Sequence, residues 1–325
     1  MRILAVDDEP LFLELLEASL RDLGFTDVTP IYSAKEALRE LEAGKKGFDC
    51  ILLDIRMPGM SGVELCRSIR TIPGHKRTPI MMVTALTDRA YVDDAFAAGA
   101  SDYLTKPLDP LELKVRMSMI ERLIAEQSRN IFLEQSVEVS AGDDDAEGDI
   151  ESLDFDFAAA VPMPGLDRII DWPAMENYLS SLPVKDSYAA AVFAVSIRNA
   201  DEFFACAPRI DYMNMLHDVG VTLETVLKRH EAMISHAGRG IFVVATIGTQ
   251  DPDVRQIEAG IRERLADYRQ IYDRDGLPAP LVAVGQAVRK SLFSRPNAGE
   301  LLRASLASAQ GPAALLPAAE ALKTA

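Results

Sequence analysis

From Arg2 to about Leu123 the chain alternates short β-type apolar runs with stretches whose apolar residues recur at helical spacing, and it does so five times. That alternation predicts an α/β domain with a doubly wound, five-stranded parallel sheet. The strands fall at Ile3–Val6, Val28–Tyr32, Cys50–Leu53, Ile80–Thr84 and Asp102–Leu104, with helices near 10–22, 34–43, 61–70, 88–98 and 109–125. In the last helix Leu113, Met117, Ile120, Ile124 and Ile131 keep a four-three spacing broken only by Gln127. Two readings of it stand side by side: a coiled-coil stub, or a fifth helix packed on the sheet as far as Ile124.

Past Phe157 the pattern changes. A helix near Trp172–Ser181 is followed by an apolar strand at Ala189–Ser196, a long helix from about Tyr212 to Ile234 and a strand at Ile241–Ala245. A helix over Asp253–Asp273, a strand at Leu281–Gly285 and a helix at Ala298–Ala309 complete it. This order predicts an α+β domain whose helices return over an antiparallel-capable sheet. The chain therefore divides into a first domain at 1–125, a helical extension and acidic linker at 126–157, a second domain at 158–310 and a flexible tail at 311–325.

Length agrees, since 325 residues exceed what one core fills. The net charge is −16, and eight acids with no basic residue among them lie between Ala141 and Phe157: Asp143, Asp144, Asp145, Glu147, Asp149, Glu151, Asp154 and Asp156. So polar a stretch does not fold alone, which is why it reads as linker. An acidic chain repels a phosphate backbone, so DNA is not an expected partner. No apolar run approaches the length of a membrane span, and the apolar start before Asp7 and Asp8 is too short for a secretory signal. The expectation is a cytoplasmic protein without membrane insertion. Cys50, Cys66 and Cys206 lack the spacing of a disulfide framework or zinc site and read as buried or half-buried thiols.

In the predicted sheet Asp7 and Asp8 end the first strand, Asp54 the third and Thr84 the fourth, while Lys106 follows the fifth. A parallel sheet brings those ends together. Three carboxylates in one pocket repel unless a cation neutralises them, and an all-oxygen site suits Mg²⁺. In-line transfer of a phosphoryl group to Asp54 needs positive charge on the moving oxygens, which the metal and Lys106 supply, and Thr84 adds a hydrogen bond.

Val6-Asp7-Asp8-Glu9, Leu53 to Gly62 with its Asp-Ile-Arg-Met-Pro-Gly core, Thr84-Ala85 and Lys106-Pro107 resemble the receiver domains of bacterial two-component response regulators. The resemblance covers the first 125 residues and implies a flavodoxin-like fold. It implies that Asp54 is the phosphoacceptor, that Asp8, Asp54 and the backbone carbonyl of Arg56 bind Mg²⁺, and that Asp7 assists through water. Thr84 and Tyr103 become the switch pair, and Lys106-Pro107 a cis bond. Gly59 and Gly62 read as turn and helix-entry residues. The implied partner is a sensor histidine kinase or a phosphotransfer protein.

The second domain is similar in layout to diguanylate cyclase (GGDEF) domains, and Gly238-Arg239-Gly240-Ile241-Phe242 falls on their signature turn. Val195-Ser196-Ile197-Arg198 and His236 to Val244 also look like class III nucleotidyl cyclases, so the ancestry stays open between the two. Either resemblance implies a ferredoxin-like, palm-type fold. The chemistry departs from both families: Ser196 stands at the first metal aspartate, and Arg239, Gly240 and Ile241 replace Gly, Asp and Glu. In the product-inhibition motif Arg229 is kept and Ala232 replaces the acid. The expectation is a pseudo-enzyme with no catalytic residues in its output domain, acting on an unknown downstream protein or through a homodimer. The alternative is an active or ligand-binding cyclase controlled by the receiver. Arg239 and Arg229 could grip a phosphate or cyclic dinucleotide, though a solvated turn and helix end are the simpler reading. His217, His230 and His236 read as surface or packing residues, and Tyr212, Met213, Met215 and Leu216 as helix core.

Overall fold

The computed structural model describes residues 1–44, 47–85, 89–121, 123–124, 155–163, 166, 168–248, 251–290 and 297–309. They belong to two compact units that divide between Asp149 and Ile150.

In the first unit β1 (Arg2–Val6), β2 (Asp27–Ile31), β3 (Cys50–Leu53), β4 (Ile80–Thr84) and β5 (Asp102–Thr105) form a parallel sheet in the order β2-β1-β3-β4-β5. The helices are α1 (Pro10–Asp22), α2 (Ala34–Glu42), α3 (Gly62–Thr71), α4 (Arg89–Ala97) and α5 over 110–121. β3 and β4 are buried at every position, the mark of a parallel sheet with helices on both faces. α1 begins with Pro10 in its first turn, where a missing N–H costs nothing, and buries Phe12, Leu13, Leu16 and Leu20 along one stripe. α3 starts on a capping box: Glu64 N–H donates to Ser61 Oγ at 3.2 Å, and Ser61 N–H donates to Glu64 Oε2 at 2.8 Å.

Leu113, Met117 and Ile120 of α5 are buried in the core that α1 shares with the sheet, and Ile124 packs against it. The four-three spacing is thus used up on the sheet as far as Ile124, leaving no seam there for a coiled coil. Ile131 lies outside the described residues.

The second unit runs α6 (Trp172–Ser181), α7 (Val184–Ala189), β6 (Ala190–Ile197), α8 (Ala200–Cys206), α9 (Arg209–Val226), β7 (Met233–His236), β8 (Ile241–Ile247), α10 (Val254–Arg274), β9 (Val282–Val284), β10 (Val288–Arg289) and α11 (Ala298–Ala309). All strand pairs are antiparallel: β7 pairs β8, β8 pairs β6, and β9 then β10 occupy the far side of β6 in succession. Phe193, Val195 and Ile197 of β6 face Tyr212, Met215, Val219 and Leu223 of α9 and Ile257, Ile261 and Leu265 of α10. α6 packs on β7 and α11 on β6. The outer edge of β7 is covered by 168–170, where Ile170 N–H donates to Ile234 O and Ile234 N–H to Arg168 O, both at 2.8 Å.

Three sequence expectations need correction here. The long helix ends at Val226 rather than Ile234, because Glu231 turns the chain at φ +44 and Met233–His236 becomes strand β7. Pairing with β8 outweighs the helical spacing of Leu227 and Ile234. The stretch read as linker up to 157 overlaps the folded unit: the Phe155 and Phe157 rings lie 5.8 and 5.1 Å from that of Phe204 and 6.1 Å each from that of Tyr212. Cys206 is exposed, whereas Cys50 and Cys66 are buried. The rest of the linker, 126–154, and the tail from 310 lie outside the described residues.

Candidate functional site

Strand register builds the site. Val6 of β1 lies opposite Leu53 of β3, so Asp7 and Asp54 emerge side by side. Leu53 pairs with Met82, and Thr84 with Thr105, which sets Thr84 and Lys106 at the same edge. Backbone bonds carry the alignment past the strands: Asp54 N–H donates to Val6 O at 2.9 Å and Lys106 N–H to Thr84 O at 2.8 Å. β1 and β3 flank the point where the chain's winding reverses, the position at which open α/β sheets bind ligands beyond their carboxyl ends.

Asp7, Asp8 and Asp54 each offer a carboxylate oxygen, all within 4.8 Å of one another. Among the described residues this is the one set of three His, Cys, Asp or Glu side chains arranged to share a metal ion. Asp7 and Asp54 are buried and Asp8 is exposed, which leaves the cluster open on one side. Lys106 Nζ lies 2.6 Å from Asp7 Oδ2 and 3.6 Å from Asp54 Oδ1. Asp7 Oδ1 accepts from Glu9 N–H at 2.9 Å. Burial pushes the Asp54 carboxyl above its ordinary range, and the Asp7 charge adds to the rise. Lys106 and hydrogen bonds from the Thr84 side chain and the Ile55 N–H pull it back. One ammonium among three acids leaves the pocket acidic, and oxygen donors at this spacing fit a hard divalent cation.

Of the remaining expected residues, Arg56 is exposed in the loop after β3, Tyr103 is buried on β5 with only 3% of its surface accessible, and Lys106-Pro107 is cis. Gly62 contributes more than a helix entry. A Cβ there would stand 2.0 Å from the Asp54 carbonyl oxygen, so only glycine lets α3 start this close to the end of β3. Sequence reasoning also missed Phe12, whose ring centroid lies 3.8 Å from Lys106 Nζ. It missed Arg116 too, which pairs with the buried Asp102 at 2.8 Å. Neither contact has a local signature, because each joins residues on different elements.

In the second unit Gly238, Arg239 and Gly240 form the β7–β8 turn at φ +87, +55 and +65, and Ile241 opens β8. Arg239 N–H donates to Phe157 O at 2.8 Å, and Val161 N–H donates to His236 Nδ1 at 2.9 Å. The segment from Phe155 to Val161 thus lies across the hairpin tip, and a Cβ on Gly238 would meet Ala158 O at 2.1 Å. Ser196 is buried on β6 with its Oγ 3.5 Å from Ala283 O. Ala232 is buried and Arg229 exposed; His217 and His230 are exposed and His236 buried. Burial holds the His236 imidazole neutral, its pKa pushed down to about 3. No carboxylate occupies any of the output positions singled out from the sequence.

An acidic cluster, a lysine and a hydroxyl at the carboxyl edge of a β2-β1-β3-β4-β5 sheet are the arrangement of a receiver domain. Residues 3–118 match the response regulator receiver domain family. The chemotaxis protein CheY of Pseudomonas aeruginosa is 37% identical over 120 residues, which span 37% of this chain and 95% of that protein. The transcriptional regulatory protein YvrH of Bacillus subtilis is 40% identical over 35% of this chain and 46% of its own length. The DNA-binding response regulator MtrA of Mycolicibacterium smegmatis is 42% identical over 36% of this chain and 48% of its own. The chain thus spans about half the length of the latter two. A solved receiver domain of the sensor histidine kinase PA1611 from Pseudomonas aeruginosa, with a coordinated magnesium ion, aligns at 34% identity over 38% of this chain and 97% of that chain, with a TM-score of 0.34. The chain belongs to the response regulator receiver family, and its first unit is the receiver domain of a two-component system. No helix among the described residues is long and apolar enough to cross a membrane.

Proposed function

We propose that the protein accepts a phosphoryl group on Asp54 from a sensor histidine kinase or phosphotransfer protein, and that its second unit is a non-catalytic output domain. The observation that carries the first part is the cluster of Asp7, Asp8 and Asp54 with Lys106 spanning two of its members. Asp54 attacks the phosphorus as the bond to the donor histidine nitrogen breaks, and Lys106 and Thr84 take oxygens of the moving group. Asp8, Asp54 and the Arg56 carbonyl, with Asp7 through water, are the groups that would hold Mg²⁺. That ion supplies the charge that quenches the acids and the phosphoryl oxygens. Tyr103 and Thr84 are the pair through which the modified site repacks its surroundings.

Two features support a cyclase-derived output domain that has lost its activity. The order β6-α8-α9-β7-β8-α10-β9 follows the β-α-β-β-α-β plan of ferredoxin-like folds, with a hairpin where cyclases carry their signature turn. That hairpin has Arg239 in place of an acid, and its Arg239 N–H is already committed to Phe157 O. Metal-dependent nucleotide chemistry needs carboxylates that Ser196 and Arg239 do not provide. Signalling then passes through contacts with a downstream protein or a second copy, and the acidic chain disfavours DNA.

Transfer from autophosphorylated sensor kinases tests the first part: radiolabel should move to the parent chain and not to Asp54→Asn. Label that moves equally to both refutes the assignment. For the output domain, incubation with GTP or ATP and Mg²⁺ or Mn²⁺ should give no cyclic product, and product formed at enzymatic rates contradicts the reading.

A further inference from the structure

The Lys106 ammonium has a third neighbour besides the two carboxylates. Its Nζ lies 3.8 Å from the Phe12 ring centroid, with Asp7 Oδ2 at 2.6 Å and Asp54 Oδ1 at 3.6 Å. An ammonium has three N–H donors, and two carboxylates can engage two of them. The aromatic face closes another side of the charge. Only 14% of the Lys106 side chain and 9% of Phe12 are accessible, so water competes weakly for the contact. Phe12 is itself held: it belongs to the buried stripe of α1 and packs in the core with Leu16, Leu52 and Leu104.

We propose that Phe12 is a positioning residue for phosphoryl transfer, its ring face keeping the Lys106 ammonium at the sheet edge while that ammonium passes from Asp7 to an oxygen of the incoming group. The proposal rests on the reading of Asp54 as phosphoacceptor. Lys106 must exchange partners during such a reaction, because its shortest bond is to Asp7, an acid whose charge a divalent ion would share. A compact ammonium on a flexible four-carbon stem then has little to keep it from swinging into water. The ring's attraction comes from its quadrupole, so it leaves the positive charge intact and does not compete for the geometry of the new hydrogen bond. A third carboxylate in the same place would neutralise the charge that the phosphoryl oxygens require. An aliphatic side chain would fill the volume and provide no attraction for the cation.

Fluorinated phenylalanines separate attraction from shape. Full-length protein carrying 4-fluoro-, 3,5-difluoro- or pentafluorophenylalanine at position 12 would be treated with Mg²⁺ and acetyl phosphate or phosphoramidate. Phosphorylation rate constants would be read by intact mass, with Mg²⁺ affinity and the thermal midpoint measured alongside. The rate constant should fall in order of fluorination, by about twofold to thirtyfold across the series, the range expected for a partly desolvated cation–π contact. Mg²⁺ affinity should stay within about twofold, since the ring acts on the Lys106 charge, and Phe12→Leu, which lacks the quadrupole without reversing it, should fall below parent and above the pentafluoro end. The trend should vanish in a Lys106→Met background. A flat series in protein that is still phosphorylated overturns the role of Phe12 and leaves Asp54 as acceptor. Parent protein that takes no phosphoryl group overturns both. The mono- and difluoro members keep the trend readable if the pentafluoro chain melts early.

Discussion

Asp102 opens β5 with 1% of its surface accessible, and Arg116 from α5 reaches it at 2.8 Å. Its Oδ1 also accepts the Tyr103 N–H at 2.8 Å, while Oδ2 is buried without a hydrogen bond. Burial dominates and pushes the carboxyl from 3.8 up to about 6, against the pull of Arg116 and the Tyr103 N–H. Between those two values the folded receiver binds a proton that the unfolded chain releases. The group's contribution to stability is therefore complete below its ordinary value and is lost as pH rises through about 6. A difference of about two units at about 1.4 kcal/mol each makes that loss roughly 3 kcal/mol, large against a domain stability of about 5–15 kcal/mol. Asn cannot ionise, so Asp102→Asn should lack this decline while the parent shows it. Urea unfolding at several pH values from about 4.5 to 7.5 measures the difference between the two profiles, which cancels titrations common to both, Asp54 included. Far-UV circular dichroism reports both units, and the single tryptophan, Trp172 on α6, marks the second unit separately. Profiles that run parallel within about 0.5 kcal/mol would refute the reasoning, since the buried carboxyl would then be ionising without penalty.

Three further outcomes follow from close contacts and burial. Gly62→Ala places a Cβ 2.0 Å from the Asp54 carbonyl oxygen, so the receiver should lose about 1–3 kcal/mol in urea unfolding and bind Mg²⁺ more weakly by calorimetry. Gly238→Ala combines φ +87 with a 2.1 Å approach to Ala158 O, and should release the segment over the hairpin, seen as faster hydrogen exchange at the Arg239 amide. In native protein Cys206 should react with a disulfide reagent, while Cys50 and Cys66 should react only after denaturation. Burial removes access to both and pushes their thiols up to about 12 and about 11.

The receiver was readable from the chain because each of its elements signals itself locally. Cys50–Leu53 and Ile80–Thr84 are short apolar runs between polar ends, and the observed β3 and β4 keep those limits. Its acidic residues stood at strand ends, where a parallel sheet must gather them. The second unit was harder because long-range pairing decides its outline. Leu227 and Ile234 continue the period of α9, and only the partnership of Met233–His236 with β8 reveals a strand. α7 and α8 are too short for periodicity to separate from loop. Phe155 and Phe157 sit among acids, so charge hid them, yet two aromatic rings in an otherwise solvated run were the available sign of a packed segment. The Phe12 contact with Lys106 spans most of the receiver in sequence and has no local trace at all.

The most direct test of the account is peptide-resolved mass spectrometry of the full-length protein after treatment with Mg²⁺ and acetyl phosphate. One added phosphoryl group is predicted, carried by the peptide containing Asp54, requiring the metal and missing from Asp54→Asn. An adduct that survives that substitution, or an unmodified protein under conditions where a known receiver is labelled, would contradict the claim that this acidic pocket exists to form an aspartyl phosphate.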